Sequence, residues 1–85
     1  MNPRQFETVK SNVLLELYSK EFAHYESQIH SNLNVKELNN LKCSLEFVDY
    51  VLQNKVTQNT SQKLLIRDYD KLLVDINNKI NLITI

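Results

Sequence analysis

Eighty-five residues with no glycine, one proline and one cysteine leave room for a single small domain. They exclude an internal disulfide, a multi-cysteine zinc site and every glycine-rich phosphate loop. Ten Lys and Arg balance ten Asp and Glu, so the chain lacks the excess positive charge behind strong non-specific nucleic-acid binding. No apolar run approaches the about 18 residues of a membrane span. The polar opening MNPRQFETVK does not read as a secretory leader, so an intracellular, cytoplasmic protein is expected.

Helix 1 is expected over about residues 3–30. Pro3 suits a first-turn position, where its missing N–H costs nothing, and Asn2 can cap it. Phe6, Val9, Val13, Leu17, Phe22, Tyr25 and Ile29 recur by threes, fours and a five, with Leu14 and Tyr18 widening the stripe. The segment SNLNVKEL, 31–38, then has to turn without glycine. Asn34 as N-cap places Glu37 at N3, the spacing of a capping box. Leu33 and Leu38 fall at N′ and N4, the spacing of a hydrophobic staple. Asn32 is a candidate for a left-handed conformation.

Helix 2 is expected over about 35–55, with Val35, Leu38, Leu41, Leu45, Val48 and Leu52 on one face. Phe47, Tyr50 and Val51 add a second apolar edge. Cys43 reads as a small buried hydrophobe. A second corner, VTQNTSQ, offers Asn59 and Gln62 at capping-box spacing, with Thr60 or Ser61 as alternative caps. Helix 3 is expected over about 61–81, built on Leu65, Tyr69, Leu72, Ile76 and Ile80, with Leu64, Ile66 and Leu73 beside them. Glu16–Lys20, Lys42–Glu46, Lys71–Asp75 and Asp75–Lys79 have the four-residue spacing of exposed ion pairs.

The fold class is therefore all-α: one domain over 1–85, a small antiparallel three-helix bundle or a helical hairpin with coiled-coil-like packing. The long first helix and the wide stripes favour an arrangement with a groove or an overhang left for a partner. The apolar ending KINLITI also needs cover, from this fold or from another chain.

Chemistry is sparse. His24 and His30 lie six apart, on different sides of one helix, and no second cysteine is available for a metal. Asp68 and Asp70, two apart, face different ways and do not form an acid/base pair. The sequence thus offers no catalytic, cofactor-binding or metal-ligating set and no small-molecule substrate. The expected activity is non-enzymatic protein–protein interaction by helix packing, with another protein or a second copy, as a homo-oligomer or a chaperone or adaptor subunit. The candidate partner-binding residues are Tyr18, Phe22, Tyr25, Phe47, Tyr50, Val51, Ile83 and Ile85. Ordinary core is the competing role for each, and the stronger one for Phe22 and Phe47. The alternative function is a small nucleic-acid-binding regulator using a basic ridge of Lys63, Arg67 and Lys71 on helix 3.

Overall fold

A computed structural model describes the backbone of residues 3–84 and the side chains of residues 8–84. Asn2, Ile85 and the side chain of Phe6 lie outside the described residues. Three helices follow one another: α1 (Pro3–Ile29), α2 (Val35–Asn54) and α3 (Thr60–Thr84). Short connections make neighbours antiparallel, and the three pack as a small all-α bundle of 53 × 16 × 16 Å.

The first corner is built from side chains. Asn34 is extended at φ −81°, ψ 172°, and its Oδ1 accepts from the Glu37 N–H at 2.8 Å. Glu37 Oε1 accepts in return from the Asn34 N–H at 3.2 Å, closing the capping box. Leu33 and Leu38 both join the core. No described residue has positive φ, so Asn32 is not left-handed. The end of α1 is closed by a residue from another helix. Lys79 Nζ donates to the Ile29 carbonyl and, at 2.8 Å, to the Ser31 carbonyl. A cation at a helix C-terminus also opposes the helix dipole. Of the four charge spacings, Glu16–Lys20 closes at 3.0 Å, while Lys79 goes to these carbonyls.

At the second corner Asn59 caps α3, accepting from the Gln62 N–H at 2.8 Å. Gln62 does not return the bond. Its amide is buried and donates to the Leu52 carbonyl at 2.9 Å, tying the start of α3 to the end of α2. α3 runs to Thr84, beyond the expected stop near 81, because neither glycine nor proline interrupts it. Thr84 Oγ1 bonds back to the Ile80 carbonyl at 2.9 Å.

The core sits between α2 and α3, which pack more extensively than α1 does on either. Leu38, Leu45 and Leu52 of α2 meet Tyr69 and Ile76 of α3, all fully buried. α1 leans on α3 more than on α2. Its inward face is Ser11, Leu14, Leu15, Tyr18, Phe22, Tyr25 and Ile29, whereas Val9, Val13 and Leu17 are exposed. The expected stripe on helix 1 is therefore rotated. Residues spaced strictly by fours drift about 40° round the helix at each step, so Val9, Val13 and Leu17 fall progressively off the line that leads to Tyr25 and Ile29.

Tyr69 joins α1 to the hairpin. Its ring meets Tyr18, Phe22 and Tyr25 edge-on, at centroid distances of 6.5, 5.5 and 6.1 Å. Its hydroxyl donates to the Tyr18 carbonyl at 2.5 Å. Burial, reinforced by Tyr25 and the Glu21 carboxylate, pushes the Tyr69 phenol well above its ordinary value, so it remains a neutral donor. Near the other end Ser11 Oγ, buried, accepts from the Thr57 N–H at 3.0 Å. Residues of α1 before Ser11 therefore extend past the α2–α3 connection, and residues of α3 after Lys79 extend past the α1–α2 connection.

Two substitutions test this account in urea denaturation. Tyr69→Phe keeps the ring and loses the hydroxyl, and should cost about 1 kcal/mol. Asn34→Ala removes the first cap and should also cost about 1 kcal/mol. An unchanged midpoint in either variant would show that the corresponding bond contributes nothing.

Candidate interaction surface

Because α1 is drawn toward α3, it parts from α2. The seam between α1 and α2 is an open groove of about 460 Å³, lined by Leu17, Tyr18 and Tyr25 on one side and Cys43, Phe47 and Val48 on the other. It continues into a second groove of about 420 Å³, which shares Glu21, Tyr25 and Ser44 and reaches Leu33 and Glu37. Phe47 is 61 % exposed and Leu17 44 %, so the groove presents large apolar groups to solvent.

The expected partner-binding residues divide by place. Phe47 and Tyr50 are exposed on α2, which corrects the expectation that Phe47 belongs to the core. Ile83 is exposed on α3 beside Leu82, which at 77 % is almost bare, whereas Ile80 of the same apolar ending packs against the core. Phe22 and Tyr25 are half-buried against the core, and Tyr25 also edges the groove. Tyr18 and Val51 are buried in the core. The expectation that they face outward is corrected, since Tyr69 occupies the side of Tyr18 and the turn of α2 carries Val51 inward with Val48 and Leu52. Ile85 lies outside the described residues.

Other side chains emerge only in three dimensions. Cys43 is exposed in the groove, not buried as expected. The Tyr25 hydroxyl donates to Glu21 at 3.4 Å. Burial first, and the Glu21 carboxylate second, raise the Tyr18 and Tyr25 phenols above their usual range. Asp70, set apart from Asp68 as expected, meets Asp49 of α2 instead. Asp49 Oδ2 accepts from the Gln53 amide at 3.0 Å, while its Oδ1 is buried without a partner. Loss of solvent and the neighbouring Asp49 charge hold the Asp70 carboxyl above its ordinary value. Lys63, Arg67 and Lys71 of α3 are exposed, with Arg67 3.8 Å from Asp68. Among the described residues no group of three or more His, Cys, Asp or Glu is placed to hold a metal ion, and no helix is long and apolar enough to cross a membrane.

No family model, curated protein or solved structure matches the chain.

The Asp49–Asp70 contact predicts a pH dependence. Asp70 titrates higher in the folded chain than in the unfolded one, so the folded state holds more protons between the two values. Its contribution to stability is present below the unfolded value of 3.8 and is lost as pH rises through the folded one. Asp70→Asn, which keeps the neutral form, should therefore gain stability relative to the parent between about pH 3 and about pH 7 in denaturant titrations. A constant difference would mean that folding does not raise the Asp70 carboxyl. Separately, a maleimide should modify Cys43 in the native chain without prior unfolding. Protection of Cys43 in dilute protein would contradict an open groove.

Proposed function

We propose that the chain is a non-enzymatic protein–protein interaction module that receives a helix in the α1–α2 seam, as a homo-oligomer or as a small chaperone or adaptor subunit of a larger assembly. The observation that carries this reading is the pair Leu17 and Phe47, exposed on the two walls of one open groove. Burying such side chains is worth about 1.5 to 3 kcal/mol each, and an aromatic group at the centre of a groove is the usual anchor of a helix-in-groove contact. A reducing, cytoplasmic setting belongs to the same reading, with Cys43 standing as a free thiol in the groove. Where Leu17 and Phe47 face each other the groove carries one carboxylate, Glu21, with a tyrosine hydroxyl already donating to it. That suits recognition of apolar surface better than acid/base chemistry.

A photo-cross-linking amino acid at position 47, in cells producing the full chain, tests the proposal against the same group at position 71, which is exposed on α3. Adducts to protein are expected at 47, absent at 71, and lost when Leu17→Lys is added. No position-specific adduct at 47 would overturn the reading.

A further inference from the structure

The three helices are held unequally. The fully buried side chains, Leu38, Leu45, Val48, Leu52, Tyr69 and Ile76, all belong to α2 and α3. Among the described residues α1 buries only Ser11, Tyr18 and Ile29, and none of these completely. Yet α1 is the longest helix, 27 residues against 20 and 25. On its α2 side it stands off across the open seam, with Leu17 exposed.

α2 and α3 are also tied together without α1. Gln62 donates to the Leu52 carbonyl, the Asn34–Glu37 box closes the start of α2 on itself, and Asn59 caps α3. No residue of α1 takes part in these bonds. By contrast α1 is held by the Tyr69 hydroxyl at the Tyr18 carbonyl and by the Tyr69 ring against three of its aromatic side chains. Ser11 bonds Thr57 near one end of the bundle, and Lys79 bonds the Ile29 carbonyl at the other.

Elements with few fully buried groups open at a lower free energy than the whole chain unfolds, and they open as units that follow secondary structure. Residues 30–34, between α1 and α2, form no regular element, so α1 can turn there while the capping box stays with α2. Lys79, at the carbonyls of Ile29 and Ser31, marks the pivot. Such a turn breaks the Ser11–Thr57 and Tyr69–Tyr18 bonds and uncovers the Tyr69 ring, which has zero exposure when α1 is in place.

We infer that α1 is a hinged arm that swings as a unit from a persisting α2–α3 hairpin within the native chain. Closed, the arm is a lid over the face that carries Tyr69. Open, it presents that face together with its own Tyr18, Phe22 and Tyr25. The inference goes beyond the interaction reading and does not depend on what occupies the seam.

Native-state hydrogen exchange of the full chain in low urea, with reclosing faster than exchange, tests it. The best-protected amides of α1 should exchange at least about tenfold faster than those of α2 and α3. Their dependence on urea should be weaker, since opening the arm exposes less surface than unfolding the chain. Asn59→Ala removes a bond that persists when the arm opens and is lost only on global unfolding. It should speed the best-protected amides of α2 and α3 about fivefold and leave α1 unchanged. Tyr69→Phe removes a bond lost in either event and should speed α1 about fivefold. Circular dichroism confirms that each variant is folded. Equal rates and equal urea dependence in all three helices would overturn the inference, as would an Asn59→Ala chain in which α1 accelerates with the hairpin. An α1 whose exchange ignores Tyr69→Phe would overturn it too, because the arm would then open without leaving Tyr69.

Discussion

The position of α1 depends on the Tyr69 side chain. α2 and α3 share a continuous aliphatic core, but α1 brings few aliphatic groups to it. Beside Leu14, Leu15 and Ile29, α1 turns Tyr18, Phe22 and Tyr25 inward, and these three rings all meet one ring of α3. Edge-to-face aromatic pairs add about 0.5 to 1.5 kcal/mol beyond the area they bury. The hydroxyl bond to the Tyr18 carbonyl fixes the height of α1 along the bundle as well as its rotation. A buried phenol without that acceptor would carry an unsatisfied polar group, so the bond also makes it possible for Tyr69 to sit at zero exposure.

The groove follows from this. The aromatic face of α1 is engaged with α3, so Leu17 is left on the open wall of the groove facing α2. Across from it α2 presents Phe47, left uncovered by a helix that is held elsewhere. The Ser11–Thr57 bond holds one end of the seam, and Lys79, bonded to the carbonyls at the end of α1, holds the other. Between these two polar ties the walls stand apart. The open surface is thus a product of where the bundle is tied, not of any single exposed residue.

Much of this was legible in the sequence, and the part that was not has a physical reason. The helix positions, the Asn34–Glu37 box and the core faces of α2 and α3 follow from three-and-four spacing and from cap chemistry, both local properties. The rotation of α1 is not local. Val9, Val13 and Leu17 make as good a stripe on paper as Leu14, Tyr18 and Tyr25, and only the ring of Tyr69, some fifty residues away, selects between them. The same holds on α2, where Phe47, Val48, Tyr50, Val51 and Leu52 cover more than one face. Val51 is inside with Val48 and Leu52, and Phe47 is outside. Asp49 beside Asp70 was invisible for a similar reason, since nothing in either helix alone brings the two carboxylates together.

The corners of this bundle use only backbone conformations open to every L-amino acid. In many small proteins a turn depends on a glycine in left-handed space, and replacing it imposes a steric penalty that few neighbouring changes can relieve. Here each corner depends instead on caps such as Asn34 and Asn59, for which serine, threonine or aspartate are near substitutes. The mutational landscape at the turns is correspondingly smooth. A corner residue can therefore be exchanged for another capping residue at small cost, whereas the ring of Tyr69, which meets three aromatic side chains of α1, has no equivalent replacement.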